Sequence, residues 1–194
     1  MPTPTEDKRT LRARHTEFRR RLRHDPARKT ALDAAILTNA VACIDAFGAR
    51  GANISAYNPL PTEPGPADFA AQLRRHARSV FIPISLPDGV LAWSLADGAT
   101  QPGALGVAEP TGARFTSRVL SSCALLLVPA LAVDAQGMRL GKGAGYYDRA
   151  LAGLDVPTAA VLYDEEVVDA VPHDAHDVPV RAIITPRGWR EISV

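Results

Sequence analysis

R-L-G-K-G-A-G-Y-Y-D-R, residues 139–149, places three alternating glycines between two stretches that predict regular secondary structure. Glycine has no Cβ and tolerates positive φ, so such a loop lets backbone N–H groups converge on an anion. The apolar run at residues 125–128 is typical of a buried strand, and Tyr146–Leu151 predicts a short helix whose N-terminal dipole faces the same anion. The spacing matches neither the P-loop nor the dinucleotide-binding fingerprint, but it predicts a phosphate site.

Strand and helix patterns alternate along the rest of the chain. Because strand–helix–strand units repeat, the sequence predicts an α/β fold with a mostly parallel sheet and residues 125–128 at its centre. A Gly/Pro-rich crossing is expected through Glu109 and Pro110, and the length of 194 residues fits a single domain over residues 1–194. Helices are predicted over residues 8–22, 28–47 and 68–75, and further strands over residues 53–57, 79–82, 90–93, 158–162 and 182–185.

The composition is that of an ordinary globular protein, with 46% apolar residues, 22% charged residues and a net charge of +1. The two cysteines, Cys43 and Cys123, are far apart and lack metal-type spacing, which predicts buried free thiols in a reducing compartment. The N-terminus lacks an apolar signal core, and no run of about 18 apolar residues exists to cross a bilayer. We therefore expect a cytoplasmic protein.

The small net charge hides two oppositely charged regions. Residues 8–29 carry ten of the 22 Lys and Arg residues, whereas residues 151–180 carry seven acids and no Lys or Arg. On the first predicted helix, a basic stripe runs beside an apolar one at helical spacing. The apolar stripe contains Leu11, Phe18 and Leu22, and the basic stripe contains Lys8, Arg12, Arg19 and Arg23.

Two interpretations of the basic stripe remain open. Lys8 and Arg12 are four residues apart, so both leave one helix face and would clamp the far phosphates of a nucleotide. The alternative is a solvated surface face, which we expect for Arg20, Arg21 and Arg28. Nucleic-acid binding would use the whole stripe, but the mildly basic pI of about 7.9 and the lack of interleaved aromatics argue against it.

The charged residues of the glycine-rich stretch predict how it would treat phosphate. Lys142 would act as a mobile point charge, and Arg139 would grip phosphate with two N–H groups. A carboxylate beside phosphate is repulsive unless a cation lies between them. Asp148 is therefore predicted to be a Mg²⁺ ligand. The alternative for Asp148 is an aspartate in the first turn of a helix, where it complements the helix dipole.

A second acidic motif, H-D-A-H-D at residues 173–177, has three interpretations. A zinc site needs three or four ligands in fixed geometry, which this loop alone does not supply. We instead expect Asp177 to help hold the same Mg²⁺ as Asp148. Turn formation by polar residues is the alternative, and it suits His173, Asp174 and His176.

A carboxylate and several aromatic residues are candidates for binding a flat heterocycle. Glu63 follows a predicted strand, and strand ends in α/β sheets face ligands. There it would accept hydrogen bonds from an amino-pyrimidine edge, although an ordinary loop acid is the alternative. Aromatic rings that could stack on the ligand, or pack in the core, belong to Tyr57, Trp93, Tyr146 and Tyr147. No Ser-His-Asp or Cys-His pattern indicates covalent catalysis.

Taken together, these motifs resemble the 5-formyltetrahydrofolate cyclo-ligase family, also called methenyltetrahydrofolate synthetase. The central motif V-P-A-L-A-V-D-x-x-G-x-R-L-G-K-G-x-G-Y-Y-D-R at residues 128–149 is the specific one. Weaker motifs occur in the family's order: K-x-x-L-R at residues 8–12, I-S-A-Y at residues 54–57, F-I-P at residues 81–83, G-V-A-E-P at residues 106–110, and V-P-H-D-A-H-D-V-P-V at residues 171–180 followed by I-I-T at residues 183–185.

The resemblance implies a three-layer α/β/α sandwich with a mixed, mainly parallel sheet of the NagB/RpiA/CoA-transferase-like class. It also implies ATP- and Mg²⁺-dependent cyclisation of 5-formyltetrahydrofolate to 5,10-methenyltetrahydrofolate, with release of ADP and phosphate. The expected partners are therefore 5-formyltetrahydrofolate and MgATP, with no nucleic acid and no membrane, and the expected state is a monomer.

The resemblance assigns roles to individual residues. Lys142 and Arg139 would be catalytic, and Asp148 and Asp177 would hold Mg²⁺. Folate contacts are implied for Asn58, Glu63, Gly141, Lys142, Gly143, Ala144, Gly145 and Tyr146. ATP contacts are implied for Lys8, Arg9, Thr10, Leu11, Arg12, Arg139, Leu140, Gly141, Lys142, Gly143, Ala144, Gly145, Tyr146 and Tyr147.

The chain departs from the family pattern in the proline-rich loop. Relatives often have E-x-D-T where this chain has E-P-G-P at residues 63–66, and Asn58 occupies a commonly apolar position. Two other function classes are kept as alternatives. One is a nucleotide- or RNA-binding module that uses the basic N-terminal helix. The other is a sugar-phosphate isomerase or CoA-transferase-like enzyme, which would need a catalytic carboxylate and no ATP turnover.

Overall fold

A seven-stranded mixed sheet carries helices on both faces in the computed structural model, which describes residues 7–98, 100–102, 108–174 and 177–192. The helices are α1 (Lys8–Arg23), α2 (Pro26–Ala46), α3 (Phe69–Leu73) and α4 (Tyr146–Leu151). The strands are β1 (Asn53–Ser55), β2 (Ser79–Ser85), β3 (Leu91–Leu95), β4 (Thr100–Pro102), β5 (Ala108–Pro110), β6 (Leu125–Pro129), β7 (Ala132–Val133), β8 (Arg139–Leu140), β9 (Thr158–Val161), β10 (Ala182–Thr185) and β11 (Gly188–Glu191).

The main sheet has the order β11-β10-β9-β6-β1-β2-β3. Its five inner strands are parallel, and the edge strands β3 and β11 run antiparallel to their neighbours. At the centre, Ser55 of β1 lies opposite Phe81 of β2 and Leu126 of β6. After β1 the chain continues to β2, toward one edge of the sheet, and after β6 it continues to β9, toward the other edge. The chain connections therefore diverge between β1 and β6. In open α/β sheets, ligands bind at the carboxyl ends of the strands at such a point.

Alternate side chains of β6 supply the two cores of the sandwich, because successive residues of a strand point to opposite faces. Leu125 and Leu127 pack with α1, α2 and α3 on one face. Leu126 and Val128 pack with α4 and the 3-10 turn Ser117–Ser122 on the other face. A strand that is covered on both faces is expected to be apolar along its whole length, as β6 is.

Local sequence signals fix the ends of the two long helices. Asp7 caps α1 by accepting a hydrogen bond from the Thr10 N–H at 2.7 Å. Asp25 caps α2 in the same way at the Arg28 N–H, with Pro26 in the first turn, where a missing N–H costs nothing. Gly48, with φ of +64°, ends α2 in a conformation that favours glycine.

The structure confirms the predicted fold class and the central position of residues 125–128, and it corrects two details. The expected Gly/Pro-rich crossing contains a two-stranded hairpin, β4–β5, within which Gly106 and Val107 lie outside the described residues. Strand β11 was not predicted, because its sequence G-W-R-E is half polar and forms an edge strand. The single-domain assignment stays a prediction.

Both cysteines are free and buried, as predicted, and they lie in different layers. Cys43 on α2 belongs to the core under the long helices, and Cys123 belongs to the opposite core. Within the described ranges, none of the helices is long and apolar enough to span a membrane.

Candidate active site

A cavity of about 270 Å³ lies at the carboxyl ends of β1 and β6, at the point where the chain connections diverge. One side is formed by residues 57–63, which follow β1, and another by residues 129–131, at the end of β6. Residues 139–149, called the glycine loop from here on, close the third side. Topology alone therefore brings the proline-rich segment and the glycine loop together, although about 80 residues separate them in sequence.

The glycine loop has the backbone geometry that its sequence predicts. Gly143 has φ of +100° and Gly145 has φ of +70°, and Gly145 directly precedes α4. A Cβ on Gly143 would lie 3.3 Å from Cζ of Arg12, so the loop and α1 approach closely here. Arg12 Nε donates to the Gly141 carbonyl oxygen at 3.0 Å. Arg12 therefore lies beside the glycine loop, and its contact with ATP stays a prediction.

The remaining predicted nucleotide contacts on α1 divide into surface and core residues. Leu11 packs against Leu140 in a small buried cluster, so both of these side chains support the loop rather than face the cavity. Lys8 Nζ lies 3.0 Å from Asp174 Oδ2 and 3.6 Å from Asp177 Oδ2. Arg9 and Thr10 are exposed at the start of α1.

The other end of the glycine loop is tied to the turn between β2 and β3. Arg149 Nε donates to the Gly89 carbonyl oxygen at 3.0 Å, and Arg149 Nη2 donates to the Ala144 carbonyl oxygen at 2.9 Å. The Tyr146 hydroxyl donates to the Leu86 carbonyl oxygen at 3.3 Å. Tyr147 lines the cavity, and its buried hydroxyl has no hydrogen-bond partner among the described residues. Burial raises the pKa of that phenol well above its ordinary value.

Glu63 faces the glycine loop from the opposite wall of the cavity. Its carboxylate is only 8% exposed; Oε1 lies 2.7 Å from Lys142 Nζ, and Oε2 accepts the Leu60 N–H at 2.9 Å. Its backbone carbonyl oxygen accepts from Lys29 Nζ at 3.0 Å and from the Tyr163 hydroxyl at 3.2 Å. Glu63 thus follows β1 and lines the cavity, and its contact with a pterin stays a prediction.

Asp33 of α2 holds the same segment from behind, and sequence reasoning missed it. Its carboxylate accepts the Gly65 N–H at 3.1 Å, the Tyr163 hydroxyl at 2.8 Å and Lys29 Nζ at 2.5 Å. Burial, reinforced by the Asp33 charge, raises the pKa of the Tyr163 phenol well above its ordinary value, so this hydroxyl stays a donor. The i, i+4 spacing of Lys29 and Asp33 on α2 was the available sequence signal.

Arg19, which the sequence analysis grouped with the basic stripe, is buried and does not lie on a solvated face. Its side chain is 3% exposed, bonds both oxygens of Glu166 and donates to the Ala130 carbonyl oxygen at the end of β6. Glu166 Oε2 also accepts the Tyr163 N–H at 3.0 Å. These contacts join one network, called the buried wall from here on, which contains Arg19, Lys29, Asp33, Glu63, Tyr163 and Glu166.

Other basic residues behave as expected. Arg20 pairs with Glu17 on the exposed side of α1, and Arg28 pairs with Glu165 at the surface. Two of the aromatic candidates lie in different environments. Trp93 is a core residue whose Nε1 donates to Ser117 Oγ, whereas Tyr146 lines the cavity.

The predicted metal ligands are near cations in this structure. Asp148 lines the cavity with 61% of its side chain exposed and pairs with Arg139. Asp177 lies beside Lys8 and accepts the Asp174 N–H at 2.9 Å, which fits the turn-forming interpretation of its motif. Residues 175–176 of that motif lie outside the described residues. The described residues contain no cluster of three or more His, Cys, Asp or Glu side chains arranged to hold a metal, so the zinc interpretation gains no support.

The three carboxylates implicated in folate or metal binding share one property. Each is paired with a cation implicated in ATP binding: Glu63 with Lys142, Asp148 with Arg139, and Asp177 with Lys8. An arrangement of this kind can accept phosphate on its cations and a cation or a donor edge on its carboxylates.

The model of the 5-formyltetrahydrofolate cyclo-ligase family matches residues 4–186, which is nearly the whole chain. This chain belongs to that family. The cyclo-ligase of Mycolicibacterium smegmatis is 34% identical over 145 residues, covering 71% of this chain and 75% of that protein. The match confirms the resemblance drawn from residues 128–149 and identifies this cyclo-ligase family member as a ligase.

Solved structures of two methenyltetrahydrofolate synthetases share the fold of this cyclo-ligase family member. The 5,10-methenyltetrahydrofolate synthetase of Mycoplasma pneumoniae superimposes with a TM-score of 0.72 at 23% identity, covering 93% of this chain and 99% of that one. The Aquifex aeolicus synthetase gives a TM-score of 0.70 at 22% identity and covers 93% of each chain.

Proposed function

We propose that this enzyme converts 5-formyltetrahydrofolate and MgATP into 5,10-methenyltetrahydrofolate, ADP and phosphate. One observation carries the proposal. Glu63, a carboxylate that can accept hydrogen bonds from a pterin, and Lys142, a cation that can bind phosphate, lie 2.7 Å apart across one cavity. Family membership supports the reaction, because named relatives are cyclo-ligases.

The chemistry asks for charge neutralisation and positioning rather than a protein nucleophile. The formyl oxygen attacks the γ-phosphorus of ATP, and ADP leaves. N10 of the same folate then attacks the activated formyl carbon and loses its proton, and the C–O bond breaks as phosphate departs. Because both nucleophiles belong to the substrate, the enzyme needs only to hold two molecules in line and stabilise phosphoryl charge.

The residues around the cavity are suited to this division of work. Lys142 and Arg139 would neutralise the transferring phosphoryl group, and Arg12 and Lys8 would hold the nucleotide beside the glycine loop. The carboxylate of Glu63 would accept hydrogen bonds from the amino-pyrimidine edge of the pterin. Apolar side chains from β2 and β3, including Ile82 and Leu91, offer a flat ring a dry surface.

The residues also fit a nucleotide-bound Mg²⁺. This ion prefers one or two carboxylates and completes its shell with phosphate oxygens and water. Asp148 is exposed at the cavity edge and fits the first requirement, with Asp177 as the proposed second ligand. When bound, Mg²⁺ would shield the charge of the phosphates.

The direct test follows the absorbance of the methenyl-folate product with 5-formyltetrahydrofolate, ATP and Mg²⁺, with and without EDTA. We expect product to form only when ATP is present and EDTA is absent. Asp148→Ala should abolish Mg²⁺-dependent turnover without changing the circular dichroism spectrum. Normal turnover in that variant would remove the metal assignment, and no ATP-dependent product from the wild-type enzyme would refute the proposed reaction.

The nucleic-acid alternative receives no specific support from the described contacts. Arg19 is buried, Arg12 contacts the glycine loop, and Lys8 pairs with Asp174. A filter-binding salt series would reveal RNA affinity as a steep fall with salt concentration. The cytoplasmic location and the monomeric state stay predictions.

A further inference from the structure

We infer that Glu63 has a second role as a positioning residue: through its ion pair with Lys142, it couples the binding of the two substrates. This inference rests on the proposed function and deepens it. The structure pairs Glu63 Oε1 with Lys142 Nζ at 2.7 Å, whereas the proposed reaction gives each group a different partner. The pair must therefore separate before both substrates are bound.

The contacts on each side indicate which group moves. Glu63 is fixed by the Leu60 N–H on Oε2 and by two donors, Lys29 and Tyr163, on its backbone carbonyl oxygen. The Lys142 side chain is 50% exposed, and the adjoining Gly143 has a left-handed backbone. Lys142 therefore swings on the glycine loop, while Glu63 stays in the buried wall.

Each substrate releases the group that the other substrate needs. A triphosphate that draws Lys142 away leaves Glu63 Oε1 free for the amino-pyrimidine edge. A folate that occupies Glu63 leaves the Lys142 ammonium free for phosphate. The first ligand thus breaks the ion pair, and the second binds without that cost. This relation is positive coupling, and it must be equal in both directions because it is an equilibrium linkage.

The first test measures the dissociation constant of a non-hydrolysable ATP analogue with Mg²⁺ by titration calorimetry on the full chain. Saturating 5-formyltetrahydrofolate should tighten analogue binding about fivefold, the lower end of typical coupling, and the analogue should tighten folate binding by the same factor. This arm needs no variant. Equal affinities with and without the second ligand would overturn the inference.

The second test uses Glu63→Gln, which keeps the shape of the side chain and removes its charge. Without folate, the variant should bind the ATP analogue about fivefold more tightly than the wild type, and added folate should no longer improve it. A folate-side substitution that strengthens nucleotide binding is not expected from a residue that only contacts folate. Unchanged or weakened analogue binding would contradict the coupling role.

A double-mutant cycle separates the ion pair from a general field effect. If Glu63 acts through Lys142, the gain from Glu63→Gln should vanish in a Lys142→Met background. A gain that persists there would mean only that one negative charge was removed near phosphate. Glu17→Gln, on the exposed side of α1, is the matched control and should leave the affinity unchanged. A wild-type enzyme that binds no nucleotide at all would instead refute the proposed function.

Discussion

The two walls of the cavity differ in how their charged groups are held. In the buried wall, Arg19, Asp33 and Glu63 are each less than 10% exposed, and each makes several hydrogen bonds. In the glycine loop, the side chains of Lys142 and Asp148 are at least half exposed, and each has one ionic partner. Charged groups on one side of the cavity are thus fixed by several hydrogen bonds, whereas Lys142 and Asp148 on the other side are each held by one ion pair among the described residues.

This contrast has an energetic basis. Charges removed from water are stable only when paired and hydrogen-bonded, so the buried wall keeps one arrangement. Each ion pair of the glycine loop joins one exposed side chain, Lys142 or Asp148, to a buried partner. Solvent screens the exposed member, so it exchanges partners at a smaller cost than a fully buried charge. Substitutions in the two walls should therefore affect different measurable quantities.

The largest expected effect comes from breaking the buried wall at Arg19. Arg19→Ala leaves Glu166 charged and unpaired in the interior, and we expect unfolding free energy to fall by about 3–5 kcal/mol in urea titrations. The control is the double variant Arg19→Met with Glu166→Leu, which removes both charges and should recover most of the loss. A loss below about 1 kcal/mol for Arg19→Ala would show that this wall is not rigidly held.

A pair of lysine variants compares the two walls directly. Lys142→Met should lower kcat/KM about 100-fold, because it removes one charge that stabilises the phosphoryl group. Its loss of unfolding free energy should be smaller than that of Lys29→Met, because Glu63 keeps the Leu60 N–H as a donor. Lys29→Met should instead lower unfolding free energy by about 1–3 kcal/mol, because Asp33 and the Glu63 carbonyl oxygen lose a buried donor. Steady-state kinetics and urea titration of both variants measure the two quantities. A larger loss of stability in Lys142→Met than in Lys29→Met would contradict the proposed difference between the two walls.

Two glycines within the glycine loop provide a finer test. Gly145 has φ of +70°, so Gly145→Ala forces alanine into the left-handed region and should cost about 1–2 kcal/mol of stability. Gly141 lies outside that region, and a Cβ there would make only an ordinary contact at 3.5 Å, so Gly141→Ala should leave stability nearly unchanged. Thermal unfolding of the two variants measures these losses of stability. Equal losses would show that the positive φ of Gly145 does not cause the destabilisation.

The smallest expected effect concerns pH and the histidine one turn before Arg19. Burial, with help from the charges of Arg14 and Arg19, lowers the pKa of His15 to about 4. Because the unfolded chain then binds the proton more readily, stability is complete above about pH 6.5 and falls as the pH drops toward 4. We expect a loss of roughly 1 kcal/mol between pH 7 and 5.5.

Urea titrations across that range test the histidine effect. Since Gln is neutral at every pH in the range, His15→Gln should flatten the profile between pH 7 and 5.5. A variant that keeps the same slope would assign the pH dependence to other groups.

Sequence reasoning predicted the glycine loop and central strand because their signals are local. The alternating glycines, the run at residues 125–128 and the start of α4 are each recognised from a few consecutive residues. Sequence reasoning also placed Glu63 after a strand end, the edge at which ligands bind in α/β sheets, and the cavity lies at that edge.

Apart from Glu63, the buried wall was missed because most of its contacts join residues far apart in sequence. Arg19 lies 147 residues from Glu166, and Asp33 lies 130 residues from Tyr163. A weak signal existed: Leu11, Arg19 and Leu22 share one helical face at spacings of eight and three, yet Arg19 was grouped with the basic stripe by its charge. Charge alone favours an exposed position, and only a partner on another element reverses that preference.

The two buried cysteines can report local opening of the structure. Burial raises the pKa of Cys43 to about 12 and that of Cys123 to about 11. Because the thiolate is the reactive form, alkylating reagents should reach each sulfur only while its layer is open. As the two sulfurs lie on opposite faces of the sheet, their labelling rates would report separately how often each half of the sandwich loosens.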